Sequence, residues 1–287
     1  MNDMAGLDGL RRYPLARRGL FMTSLISGFT LAIQRVEAQT IATDTKGLTV
    51  GEVKIPTSDG ALPAYYAHPA TGSNFPIVVV NEEIFGVHEY IKDLCRRLAK
   101  AGYLAVATEY YARIGDLSKM TDIPTIVKEV ISKAPDARYL ADAEATIDWA
   151  GKNKGNLGKV AVTGFCRGGR QTWLIAENST RVKAAVAWYG PIGGAPSDIQ
   201  PRTAADGADQ LKCPLLGLYG AADTGIKVDD VQAAAAKAKA AGKTVEIVVY
   251  PDTPHGFDAD YRPSYRKEAA EDGWKRMLAW FKQNGVA

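Results

Sequence analysis

The chain is poor in the residues that most often mark a site: it has three cysteines and three histidines among 287 residues. Cys95, Cys166 and Cys213 form no CxxC pair, and no histidine stands at zinc-ligand spacing from any of them. That excludes a disulfide framework and a structural zinc site as organising features, and no cofactor is expected. The body of the chain also lacks an uninterrupted apolar run of ~18 residues, the length a membrane span needs. Charge of one sign is lacking as well. The formal net charge is only +3 and no Lys/Arg run follows a helical face, so nucleic acid is not an expected partner.

The first forty residues differ in kind from the rest. Arg17-Arg18-Gly19-Leu20-Phe21-Met22 leads into an apolar, Ser/Thr/Gly-containing run to Ile33, and then to Val36-Glu37-Ala38. A basic region, a moderate apolar region and a small-residue cleavage site make the three-part pattern of an export signal over residues 1–38. The paired arginines resemble a twin-arginine signal, an address read by the twin-arginine export machinery and not an anchor. Periplasmic or secreted localisation is therefore expected, with no stable membrane insertion once the leader is cleaved; an uncleaved tethering helix is the alternative. Arg11, Arg12, Arg17, Arg18 and Arg35 would leave with it against Asp3, Asp8 and Glu37, so the leader supplies most of the apparent basicity.

Residues 39–287 read as one domain in which strand and helix signals alternate, the mark of a βα-wound sheet. Leu48–Pro56 and Leu62–His68 are expected to pair through Ser58-Asp59-Gly60 as a hairpin. Pro76–Asn81, with Ile77-Val78-Val79-Val80 at its centre, reads as a strand buried on both faces. A helix is expected over His88–Ala101, then a strand over Leu104–Thr108. Another helix follows over Asp136–Trp149, with Asp136 as its N-cap. Strands Val160–Thr163, Ala184–Trp188, Pro214–Tyr219 and Thr244–Tyr250 alternate with helices over Gly168–Asn178, Val228–Ala241 and Ser264–Gln283. The least regular segments, Arg113–Pro124 and Ile192–Gln210, are candidates to line a site.

Strand Val160–Thr163 runs into Gly164-Phe165-Cys166-Arg167-Gly168-Gly169 and then a helix. A turn sharp enough to present a nucleophile between strand and helix needs small residues two before and two after it, and Gly164 and Gly168 stand there. Cys166 would sit at a helix N-terminus, where the dipole and free N–H groups favour a thiolate. A phosphate-binding loop is excluded because no Gly-Lys-Ser/Thr follows. A buried cysteine beside a glycine turn is the bland alternative.

The α/β-hydrolase fold, a mostly parallel central sheet flanked by helices, predicts an acid after a later strand and a histidine after the last one. Gly220-Ala221-Ala222-Asp223 ends one strand, and Pro251-Asp252-Thr253-Pro254-His255-Gly256-Phe257 follows the other. His255 would be the base and acid, and Asp223 would hold its orientation; Asp252 and Asp258 are local alternatives. Glu82-Glu83-Ile84-Phe85-Gly86 follows the buried strand, where such folds supply an oxyanion-hole N–H. The expected donors are Ile84 and Arg167. Glu82 itself is expected to be a solvated acidic turn residue. His88 is expected at a solvated helix start, with a place at the site mouth as the alternative, His68 as structural, and Cys95 and Cys213 as small buried apolar residues.

Glu83-Ile84-Phe85-Gly86-Val87, Tyr111-Ala112-Arg113, the Cys166 run, Asp223 and His255-Gly256-Phe257 together resemble the dienelactone hydrolase family of carboxymethylenebutenolidase-like α/β-hydrolases. The match covers essentially the whole chain beyond residue 38, in order, and includes the unusual cysteine. The resemblance implies a carboxylic ester hydrolase that opens small lactones or esters through a Cys-His-Asp triad and a thioester. It implies that Cys166 rests as a thiol paired with Glu83, which takes the thiol proton when substrate binds. It also implies that Arg113 binds a substrate carboxylate. A second arginine is expected four residues after the histidine, where this chain has Ala259; Arg262 lies nearby. The alternative from another class is a thiol-based redox or ligand-binding protein on the same scaffold.

Overall fold

The computed structural model describes residues 41–287, so the leader expectation over residues 1–38 lies outside the described residues. Eight strands form one sheet: β1 (Leu48–Thr57), β2 (Gly60–Pro69), β3 (Phe75–Asn81), β4 (Leu104–Thr108), β5 (Gly155–Phe165), β6 (Ala184–Trp188), β7 (Leu215–Gly220) and β8 (Val245–Tyr250). Their order is β1-β2-β4-β3-β5-β6-β7-β8. The β1–β2 hairpin closes through Ser58 and Asp59, with Thr57 paired to Gly60, and β2 runs antiparallel to β4. Every pairing from β4 onward is parallel.

Helices α1 (Glu89–Lys100), α2 (Ile123–Glu129), α3 (Asp136–Lys152), α4 (Arg167–Asn178), α5 (Ala204–Gly207), α6 (Val228–Ala240) and α7 (Lys267–Gln283) make the crossovers and cover both faces. Alternate residues of β3 explain the two layers. Val78 and Val80 pack with Ile91, Leu94 and Phe281 of α1 and α7, whereas Ile77 and Val79 pack with Tyr139, Ile147 and Trp173 of α3 and α4. All four are at most 1% exposed. Such burial is worth about 1.5–3 kcal/mol per side chain, which is why the run contains no polar residue. Among the described residues no helix is long and apolar enough to cross a membrane.

The element order expected from the sequence is observed, and the differences are local. Asp136 is the first residue of α3, after Pro135 at the cap, because its carboxylate is taken by a buried two-pronged pair with Arg170 at 2.5 and 2.7 Å. The last helix begins at Lys267, since Tyr261–Arg266 is drawn into successive turns. The Arg113–Pro124 segment is shorter in irregular structure than expected, because Asp122 caps α2 through Thr125 N–H at 2.9 Å.

Candidate active site

The turn after β5 is as sharp as its glycines imply. Cys166 has φ +55 and ψ −119, a left-handed conformation that a side-chain-bearing residue avoids, and it forms the N-cap of α4. The strain is held by backbone bonds on both sides: Cys166 N–H donates to Trp188 C=O at 3.1 Å, and Gly169 N–H to Cys166 C=O at 2.9 Å. A Cβ on Gly164 would lie 2.2 Å from the Gly168 carbonyl oxygen, and one on Gly168 would lie 2.3 Å from the Asn81 oxygen. Gly168 thus lets the end of β3 press against the start of α4. The loop carrying Glu83 and Ile84 is brought to the Cys166 turn by that contact.

Asp223 and His255 arrive on two loops that are joined to each other. Ala222 N–H donates to Thr253 C=O at 3.0 Å. Asp223 Oδ1 accepts from Gly225 N–H at 2.8 Å and Ile226 N–H at 3.2 Å, which leaves Oδ2 to meet His255 Nδ1 at 2.7 Å. Asp252 is exposed and Asp258 bonds elsewhere, so geometry selects Asp223 among the three acids. Burial by itself would lower the affinity of His255 for a proton. The sulfur of Cys166 and the carboxylate of Asp223 outweigh burial and push the imidazole up to about 10. The ring is held from the side by Tyr189, edge-on with centroids 5.1 Å apart.

Glu83 is fully buried, and its partners are not the ones the resemblance implied. Arg262 Nη2 donates to its Oε2 at 2.9 Å and Tyr261 O–H at 3.1 Å, while His88 Nε2 lies 3.3 Å away. Burial would raise this carboxyl, but the Arg262 charge and the His88 and Tyr261 hydrogen bonds reverse that and hold it at about 2. Arg262 is itself clamped between aromatic faces, 5.1 Å from the Phe85 ring centre and 4.9 Å from that of Tyr261. The cation expected at Ala259 is therefore supplied one turn later. Ala259 N–H bonds to Gly256 C=O and Arg262 N–H to Ala259 C=O, and these two turns swing Arg262 back over Gly256. The Tyr261-Arg262 pair after His255 was the signal, and only the turns give it direction.

Two other sequence expectations change, for Glu82 and Arg113, and the structure decides between the two for His88. Glu82 is not solvated: it is 1% exposed, and Tyr110 N–H donates to its Oε1 at 2.8 Å. Burial, the Glu109 charge and a hydrogen bond to Glu109 push its carboxyl well above the usual range. Glu109 in turn accepts from Val87 N–H at 2.9 Å, so the acid pair ties the Glu82–Val87 loop to the end of β4. Arg113 is not brought into this group. Asp142 takes it at 2.7 and 3.2 Å, Thr57 at 2.5 Å and Asp59 at 2.7 Å, so the cation expected to bind a substrate carboxylate is already neutralised. His88 is part of the Glu83 cluster, partly exposed, stacked on Tyr90 and edge-on to Tyr261, and marks its outer edge.

Ile84 is buried in the loop between Glu83 and Gly86, and Arg167 is the first residue of α4. The Arg167 side chain turns to Gln200 Oε1 at 2.9 Å. His68 stacks between Tyr66 and Phe75, and Cys95 and Cys213 are buried. Among the described residues no group of three or more His, Cys, Asp or Glu side chains is placed to hold a metal ion.

The sheet order, the strained turn and the two following loops are those of an α/β-hydrolase. The sequence profile of the dienelactone hydrolase family matches residues 62–285. This chain belongs to that family. A protein of Methylorubrum extorquens, provisionally named a carboxymethylenebutenolidase, is 55% identical over 275 residues, covering 95% of this chain and 94% of its own. A protein of Escherichia coli K12 with the same provisional name is 45% identical over 264 residues, covering 92% of this chain and 97% of its own. A crystal structure from Klebsiella pneumoniae, described provisionally as a dienelactone hydrolase, superposes with a TM-score of 0.81 at 51% identity. It covers 82% of this chain and 99% of that one.

Proposed function

We propose that this member of the dienelactone hydrolase family hydrolyses small lactones or carboxylic esters that carry a carboxylate, using Cys166 as nucleophile. One observation carries the reading: Cys166 sits at a strained strand-to-helix turn beside a histidine whose other nitrogen meets Asp223 at 2.7 Å. Nucleophile, base and orienting acid occur in the chain order this fold uses.

Glu83 supplies the switch in this proposal. With Arg262, Tyr261 and His88 bonded to it, the carboxylate is held at about 2 and is too weak a base to take a thiol proton. An incoming substrate carboxylate competes for Arg262, whose Nη1 is buried with no hydrogen-bond partner. Freed of that charge, Glu83 becomes more basic and takes the proton of Cys166. The thiolate then attacks the ester carbonyl carbon, and the Ile84 and Arg167 N–H groups hold the developing oxyanion. The C–O bond breaks, the leaving oxygen takes the proton back, and a thioester remains. Acylation removes the Cys166 charge that raises His255, so the imidazole can take a proton from water as it attacks the thioester carbon; the C–S bond breaks, the imidazolium returns the proton to sulfur, and the carboxylate product leaves.

Export is the second part of the proposal. A folded route would deliver Cys166 already buried, which protects a free thiol in an oxidising compartment.

The test is turnover of a p-nitrophenyl ester and of lactones with and without a carboxylate. Replacing Cys166 by Ala is expected to cut turnover by roughly four orders of magnitude or more. Full activity in that variant overturns the reading, and equal use of charged and neutral lactones removes the carboxylate from it.

A further inference from the structure

The loop that carries Arg262 is fastened to α1 by two carboxylates. Asp258 Oδ2 accepts from Tyr90 O–H at 2.6 Å, and Asp260 Oδ2 accepts from Arg97 Nη2 at 2.5 Å. Both acids are buried, at 3% and 1% exposed, and Asp260 stands two residues before Arg262. Arg97 is fixed in its turn, since its Nε donates to Asp93 Oδ2 at 2.5 Å.

Residues 41–46 run beside α1 and meet the same carboxylate. Ile41 N–H donates to Asp260 Oδ2 at 3.3 Å, and Ile41 C=O accepts from Arg97 Nη2 at 3.4 Å. Two residues on, Thr43 N–H donates to Asp93 Oδ1 at 2.6 Å, and Thr43 C=O accepts from Arg96 Nε at 2.9 Å. Burial does not explain the place of Ile41, because its side chain is 45% exposed. Its backbone polar groups hold it there. A cleft of about 200 Å³, lined by Ile41, Arg97, Asp258, Tyr265 and Trp274 among others, occupies this junction. Close packing is incomplete here, so directional bonds to charged groups fix the loop where side-chain contact does not.

We propose that Asp260 is a positioning residue for Arg262, an inference that rests on the role given to Arg262 above. Its tether to Arg97 sets where the turns after Gly256 deliver the guanidinium. Ala259 N–H donates to Gly256 C=O at 3.1 Å and Arg262 N–H to Ala259 C=O at 3.0 Å, with Asp260 inside the second turn. Releasing Asp260 therefore moves the frame of Arg262 itself. Arg262 reaches Glu83 through Nη2 at 2.9 Å, and such a bond depends on distance and angle. Loosening the frame weakens it, and weakens equally the bond to a substrate carboxylate that takes its place. The Cys166 turn and Asp223 are held by other groups, among them Trp188, Gly169 and Gly225. Selectivity for charge is the property that Asp260 governs.

The experiment compares the wild type with Asp260→Asn and with the double variant Asp260→Asn, Arg97→Met, which leaves no carboxylate at position 260 without its cation. Lys100→Ala is the control, since Lys100 holds Asp44 and the Lys46 carbonyl, each at 2.6 Å, without touching Asp260. It measures kcat and KM for lactones with and without a carboxylate, and the rate at which phenylglyoxal labels Arg262 (read on its peptide by mass spectrometry). Both Asp260 variants are expected to raise KM for the charged lactone and the Arg262 labelling rate by about tenfold, the worth of one hydrogen bond to a charged group. The neutral lactone and Lys100→Ala should follow the wild type. Unchanged Arg262 labelling, the same effect in Lys100→Ala, or equal KM changes for two lactones that the wild type distinguishes overturns the proposal. Faster Arg262 labelling in the Asp260 variants, in a protein that turns over no lactone or ignores its charge, supports the tether and removes the substrate reading alone.

Discussion

Arg262 Nη2 lies 2.9 Å from Glu83 Oε2, with the two side chains 2% and 0% exposed. An ion pair this deeply buried is costly to break from one side, because the survivor keeps its charge without a partner or water. The pair also puts the site's buried positive charge on the group proposed to activate the thiol. Stability and regulation therefore meet in one contact.

Replacing Arg262 by Met is expected to destabilise the fold by about 3–5 kcal/mol, since Glu83 would be left as an uncompensated buried carboxylate. Adding Glu83→Gln should recover much of that loss. Guanidinium denaturation of the two single variants and the double variant measures the coupling.

Glu83 also sets an acid limb. Its folded-state value of about 2 lies below the ordinary 4.5, so its contribution is complete above about 4.5 and is lost as pH falls toward 2. A shift of that size corresponds to about 3 kcal/mol at roughly 1.4 kcal/mol per unit. The variant Glu83→Gln should show a shallower fall in stability between pH 4.5 and 2, and unchanged steepness would assign the limb to other carboxylates.

Glu82 behaves in the opposite sense. Its folded-state affinity for a proton is raised, so its contribution is complete below about 4.5 and declines as pH rises. Glutamine imitates the neutral acid. Glu82→Gln should therefore keep Tm near the wild-type value at pH 6 and soften the alkaline decline, whereas Glu82→Ala should lower Tm throughout by leaving Tyr110 N–H unpaired.

The turn glycines separate contact from flexibility. A Cβ at Gly168 would meet backbone oxygen at 2.3 Å, whereas one at Gly193 would meet nothing within 4 Å. Gly168→Ala is expected to cost about 3 kcal/mol or more, or to prevent folding, because neither β3 nor α4 can yield. Gly193→Ala should change stability by less than about 1 kcal/mol. Thermal unfolding of the pair decides it.

Export is testable without the enzyme's substrate. Changing Arg17 and Arg18 together to Lys is expected to leave the protein in the cytoplasmic fraction, whereas the wild type appears outside it, shortened by about the length of the leader. Equal distribution of the two would remove the twin-arginine reading.

Much of this protein is written in local sequence. The apolar run of β3, the glycines two before and two after Cys166, and the loops bearing Asp223 and His255 each follow from backbone sterics and hydrophobic period. Those operate within a few residues, so the fold class and the chain order of the site were legible. Glu82 and Glu83 show where that legibility stops. Adjacent and chemically identical, they shift in opposite directions, because the end of β4 brings Glu109 to one while the loop after β8 brings Arg262 to the other. Arg113 and Arg262 exchange their expected importance for the same reason. The β1–β2 hairpin and α3 bring Asp59 and Asp142 to Arg113, and two consecutive turns carry Arg262 past Ala259 into the site. Sequence determined which groups this chain can use. The tertiary structure decided which of them are charged, because charge in a buried site depends on neighbours that arrive from distant parts of the chain.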